Sequence, residues 1–194
     1  MYCSEFEISV FLKEIDEEIW PVVVNGLNNF DMSCRIIKQS SCVHPNFISF
    51  GFSLQENSYF SLSDEMCSGF FFNIKRFDSK TEPIRCQLSD ESLDKYLKTA
   101  NYKLEFKWTP TNVFSIRFAF LSSAILAERF KGIIHYPPQN LWHGYTGSIK
   151  NAWKEVQNFE RFVLPRLFPN LSPSPDLIEN HWKKADIKIT TCLN

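Results

Sequence analysis

Three strand-like stretches follow one another between Met32 and Phe77 with no helical segment between them, and this run constrains the fold more than any other feature. Met32 to Lys38, Phe47 to Leu54 and Cys67 to Phe77 read as strands, the last carrying a Phe70-Phe71-Phe72 triplet suited to the centre of a sheet. Parallel neighbours need a crossover of a dozen or more residues, usually a helix, whereas strands joined by loops alone pair antiparallel. A doubly wound parallel sheet is therefore disfavoured. The expected class is α+β: one domain over residues 1–194, with a mainly antiparallel sheet and helices packed on one face of it.

The flanking segments supply the helices. Phe6 to Leu12 reads as a strand, and Asp16, Glu17 and Glu18 then precede Ile19, Trp20, Val23, Leu27 and Phe30 at helical spacing. Pro21 is tolerable only within a first turn, so that helix is expected to begin near 16–18. Ser89, with Leu93, Tyr96, Leu97 and Ala100 behind it, marks a capped amphipathic helix. Tyr102 to Trp108 is a strand. From Pro110 and Thr111 a helix is expected to run to Phe130, with Gly132 closing it in a left-handed conformation. In that helix Phe114, Phe118, Leu121 and Ile125 share one face, and the small residues Ser115, Ala119, Ser123 and Ala127 share another, which predicts burial on more than one side. Ile133 to Tyr136 is a short strand, and Ser148 or Thr146 caps a helix with Ile149, Ala152, Trp153, Val156, Phe159 and Val163 facing the core. Four prolines make 165–175 a wrapping segment, followed by a helical turn around Leu177 to Lys184 and a strand from Asp186 to Thr191.

Composition fits one globular domain: 44% of the 194 residues are hydrophobic, enough for a core that needs neither disulfide nor metal. The 21 basic and 22 acidic side chains nearly cancel, which argues against a general nucleic-acid coat. Residues 1–97 nonetheless carry 15 acidic and 8 basic groups, and the remainder 7 acidic and 13 basic, so −7 is set against +6. Either the halves pack together and compensate, or the acidic half offers a face to a basic partner. The amino-terminal residues lack a basic leader pattern, Val113 to Ala127 is too short and polar for a bilayer span, and six cysteines lie scattered with no C-x-x-C pair. The expected setting is the reducing cytoplasm, away from membranes, with free thiols.

Candidate chemistry is dispersed. The segment from His135 to Tyr145 could form a pocket in which His135, Tyr136, Trp142, His143 and Tyr145 converge. Cys34, Cys42 and His44 include metal-ligand types, but one close pair falls short of the two that zinc sites show. Gly144 and Gly147 before a helix could cradle a phosphate, although the phosphate-loop and dinucleotide fingerprints are absent and turn residues are the plainer reading. Lys103, Lys107 and Trp108, with Trp182, Lys183 and Lys184, could touch nucleic acid, or could belong to a solvated strand face. In the polar loop before the Phe triplet, Glu56, Tyr59, Phe60, Asp64 and Glu65 place aromatics beside carboxylates, as an interface for a basic protein would. No catalytic motif is specific, so the expectation is a non-enzyme without cofactor or metal.

The run from Phe118 to Gln139, F-A-F-L-S-S-A-I-L-A-E-R-F-K-G-I-I-H-Y-P-P-Q, stands behind an amino-terminal strand and a helix containing Trp20-Pro21. Over about a quarter of the chain this resembles small bacterial immunity proteins of contact-dependent growth inhibition and polymorphic toxin systems, in which a helix closed by a glycine leads to a short strand and a Pro-Gln turn. The resemblance implies a cytoplasmic protein that binds and neutralises a cognate toxin domain, a basic partner being expected for the acidic half. It transfers no functional residue. The alternative is a small-ligand binder or enzyme using the His135 to Tyr145 segment.

Overall fold

Side-chain alternation along the strands sets the two faces on which everything else packs. The computed structural model describes residues 6–30, 32–37, 46–54, 66–82, 91–108, 114–137, 140–163 and 166. Strands β1 (Phe6–Leu12), β2 (Met32–Ile37), β3 (Phe47–Leu54), β4 (Met66–Arg76), β5 (Tyr102–Trp108), β6 (Ile133–Tyr136) and β7 (Leu141–Gly144) form one sheet in the order β2-β3-β4-β5-β1-β6-β7. Every pairing is antiparallel. The class is α+β, as the uninterrupted strand run predicts. The loop Glu56 to Glu65, the wrapping segment apart from Arg166, and the last expected turn and strand lie outside the described residues.

Ile8, Val10 and Leu12 of β1, Phe70 and Phe72 of β4, and Leu104, Phe106 and Trp108 of β5 share the face covered by helices α1 (Ile19–Asn28), α3 (Ser115–Arg129) and α4 (Ser148–Asn158). Helix α1 starts at Ile19 and holds Pro21 in its first turn, where the missing N–H costs no helical bond. Helix α3 lies at the centre of this layer: from Ser115 to Ala127 every residue but Phe120 is buried, and Phe118 stacks on Phe50 at 4.8 Å. Its small-residue stripe is buried together with the Phe118 face, so the helix is buried on more than one side, as the sequence predicts. Helix α2 (Glu91–Leu97) packs elsewhere, against the opposite face, where Phe11, Phe77, Leu97, Ala100 and Ile133 form a second, smaller cluster. The helices therefore cover both faces, unequally, and not one face alone.

Two expected caps form differently. After α3 the left-handed residue is Lys131, at φ 53°, and not Gly132. Gly132 is needed for space: its N–H donates to the Ala127 carbonyl at 2.7 Å, and an added Cβ would press on the Leu12 side chain and lie 2.8 Å from the Phe11 carbonyl oxygen. Helix α4 begins after Gly147, itself left-handed at φ 72°, with no side-chain cap from Ser148 or Thr146. The Ser148 hydroxyl turns back to donate to the Gly144 carbonyl at 2.7 Å. Glu128 of α3 supplies the missing acceptor, its carboxylate taking the Ile149 N–H at 2.8 Å, where the helix dipole also favours a negative charge.

These roles predict opposite outcomes at adjacent positions. Lys131→Gly removes a left-handed lysine and should raise unfolding stability by about 1 kcal/mol. Gly132→Ala forces a methyl group into backbone and should lower it by about 2 kcal/mol. Urea midpoints of the two variants check both.

Candidate functional site

The β6–β7 hairpin decides what the His135 to Tyr145 segment can do. His135 pairs with Trp142, Ile134 with His143 and Tyr136 with Leu141. Successive side chains in a strand project to opposite faces, so His135 and Trp142 emerge on the α2 side while Tyr136 and His143 emerge on the α3–α4 side. His135 stacks on Trp142 at 3.9 Å, and Tyr136 meets His143 edge-on at 5.6 Å. The two histidines thus do not converge, and the expected five-residue pocket divides into two. Tyr145 follows β7 on the exposed surface, near Tyr96 of α2.

On the α3–α4 side, Tyr136 and His143 border a recess of about 170 Å³. Its walls are aromatic: Phe6 and Trp108, the terminal β1–β5 pair, stack at 5.5 Å. Phe120 of α3 meets Trp108 edge-on at 5.6 Å and stacks on Tyr136 at 5.1 Å. Phe159 closes another side, 6.5 Å from Phe6, where α4 gives way to a π-helical turn (Phe159–Val163). Ile116, Leu141, Glu7, Glu155 and Asn158 complete the lining with His143. Glu7 accepts a hydrogen bond from Ser9 at 3.4 Å and pairs with Lys107 at 3.6 Å. Burial pushes the Tyr136 phenol well above its usual pKa, and the negative charge of Glu155 pushes it further, so this hydroxyl keeps its proton. Trp108 is only 2% exposed, and its indole Nε1 finds no hydrogen-bond acceptor among the described residues.

Sequence reasoning takes Tyr136 and His143 as pocket residues but reads Trp108 as a strand residue that could touch nucleic acid, Phe120 as helix and Phe159 as core. Only the pairing register and the crossing of α4 bring them together. The other candidates are engaged differently. Lys103 and Lys107 share a strand face but are held by Glu105, at 3.0 Å, and by Glu7. The amino terminus of α4 already receives the Glu128 carboxylate, which answers the phosphate reading of Gly144 and Gly147. Cys34 is buried, and burial pushes its thiol up to about 11, far from a reactive thiolate. Among the described residues no group of three or more His, Cys, Asp or Glu side chains is placed to hold a metal ion. Glu56, Tyr59, Phe60, Asp64, Glu65, Cys42, His44 and the 182–184 cluster lie outside the described residues. Among those residues, too, no helix is long and apolar enough to cross a membrane.

Comparison with protein-family models, with curated proteins and with solved structures finds no match to this chain.

His135 provides a test of the divided pocket. Burial pulls its imidazole below the usual pKa; a hydrogen bond with Asn140 opposes this, the positive charge of Lys103 adds to it, and the charge of Glu7 opposes it. The fold therefore favours the neutral ring, so the stability this contributes is present above the unfolded value of about 6.5 and is lost as pH falls through the lower folded value. Urea unfolding should show wild type losing stability between about pH 7.5 and pH 5.5, with a smaller loss in His135→Gln.

Proposed function

We propose that this chain is a binding protein whose recognition element is the recess between the β6–β7 hairpin and the α4–π-helical turn. The observation that carries the reading is the aromatic enclosure itself: rings from β1, β5, α3, β6 and the π-helical turn surround one concave space. Ligand sites are characteristically concave and mainly apolar, with a few polar groups that fix orientation, here His143, Glu155, Asn158 and the Tyr136 hydroxyl. The volume of about 170 Å³ suits a single small ring, since a cavity of about 150 Å³ accommodates benzene. Simple monocyclic aromatics should bind, and Phe159→Ala, which removes one wall, should weaken them about tenfold. Titration followed by two-dimensional NMR checks this, and unchanged affinity in the variant would place binding elsewhere.

A protein partner is the second reading. It is favoured by Leu141, 43% exposed on the recess rim, and Phe162, 59% exposed three residues beyond the Phe159 wall. Large apolar side chains of this kind serve as anchors in interfaces, as an immunity-type protein occluding a toxin domain would require. The expected result is a one-to-one complex with the product of the neighbouring gene, weakened at least about tenfold by Leu141→Ser with Phe162→Ser. A complex indifferent to both substitutions sinks this reading.

A further inference from the structure

We infer that the recess takes a methylated ammonium group, of the kind that choline or a trimethylated lysine carries, held by the aromatic walls with the Glu155 carboxylate at the opening; this rests on the recess being a binding site. The orientation of the walls is the first observation. Phe6 and Phe159 stand at 83° to each other, and Trp108 and Phe120 at 79°, so the enclosure is a corner of crossed rings. A flat ligand stacks on one such wall at a time, whereas a near-spherical trimethylammonium group touches several. That group is close to benzene in bulk, and a volume of about 170 Å³ accommodates it.

The second observation is the charge at the opening. Glu155 and Asn158 lie three residues apart on α4, hence on one side of the helix, and both line the recess. Glu155 is exposed, yet its negative charge acts on the Tyr136 hydroxyl, so its field reaches the enclosed space. Glu7 adds nothing to this, since its side chain projects to the other face of the sheet and pairs with Lys107. No lysine or arginine is found among the described lining residues. A cation therefore meets a carboxylate and rings whose faces carry partial negative charge, and an anion meets repulsion. Methylation matters because a bare ammonium carries three N–H donors and is strongly hydrated, and mainly apolar walls do not replace that water.

The test titrates the full chain with choline and with its neutral carbon isostere, in which a tert-butyl group replaces trimethylammonium, followed by two-dimensional NMR. Choline should bind about fivefold tighter than the isostere. Glu155→Gln removes the charge, and Phe159→Leu keeps an apolar wall without a ring. Each should lower the choline-to-isostere affinity ratio about threefold and leave the isostere's own affinity within about twofold. Glu155→Gln alters an exposed side chain and leaves the fold intact, so it carries the test even where Phe159→Leu unfolds. If the isostere or benzene binds and choline binds no tighter than the isostere, or if Glu155→Gln leaves the ratio unchanged, the cation assignment is wrong while the binding reading survives. If choline, the isostere and benzene all fail to bind, both fall. N-acetyl-trimethyllysine amide then separates the two sources of the group: binding tighter than choline assigns the site to a methylated protein side chain, and weaker binding assigns it to a free quaternary ammonium compound.

Discussion

Strand β1 is the element on which the rest of the molecule depends, because it lies between β5 and β6 and completes both pairings. Ser9 is opposite Glu105 on one side and His135 on the other, so the register of one pairing constrains the other. The strand comes from the start of the chain and its partners come from the second half, so the centre of the sheet closes only after most of the sequence is available. Non-local pairing of this kind slows folding and makes the sheet cooperative. It also dissolves the electrical division of the sequence. Lys75 pairs with Glu105, Glu7 with Lys107 and Glu17 with Arg129, each joining the acidic half to the basic one. Glu7 with Lys107 and Glu17 with Arg129 set carboxylates of the acidic half against cations of the basic one, so the charges of −7 and +6 along the chain are partly compensated among the described residues.

Glu105 shows how that central register is held on the side away from the main core. The residue is only 5% exposed, and burial alone would raise its pKa. Hydrogen bonds donated by Lys75 at 2.7 Å and Lys103 at 3.0 Å reverse the shift and keep the carboxylate charged. A one-residue slip of β5 would carry this charge to the α3 side and bring Leu104 and Phe106 out of the core. Paired charges of this kind contribute little net stability yet strongly penalise the wrong register. The polar face of the sheet therefore helps to position Trp108, three residues along the same strand, which faces the other way and lines the recess.

Much of the fold is legible in the sequence because local signals and tertiary packing agree. The bounds of β3, β5 and β6 follow from composition and punctuation, and the two stripes of α3 follow from its periodicity. Strand β7 is missed because four residues, Leu141 to Gly144, are too few to show alternation and follow two prolines that read as loop. Helix α2 has a visible apolar face, but nothing local says which side of a sheet that face will meet. The Glu128 cap on α4 is invisible for a similar reason, since the acceptor arrives from another helix. The site is less legible than the fold. Tyr136 and His143 can be picked out as a pair of polar aromatics, but the separation of His135 from His143 is a matter of strand parity. Trp108, Phe120 and Phe159 carry the same pattern as any core aromatic.

The recess persists because α4 does not continue as an α-helix along its length. With regular periodicity, Val156, Phe159 and Val163 would extend one apolar stripe and pack the end of the sheet. At Phe159 the backbone instead widens into a π-helical turn, whose i→i+5 bonding breaks the regular 3.6-residue repeat. Phe159 remains half-buried beside Phe6, while Phe162 faces solvent. The rings of Phe6, Trp108, Phe120 and Tyr136 already pack against one another, so none is free to swing across and fill the space. Close-packed interiors leave few voids larger than a water molecule, because each forfeits contacts around its lining. A concave space kept open by a helix irregularity and walled by mutually locked rings is therefore an organised feature of this fold, ready for a group that supplies the missing contacts.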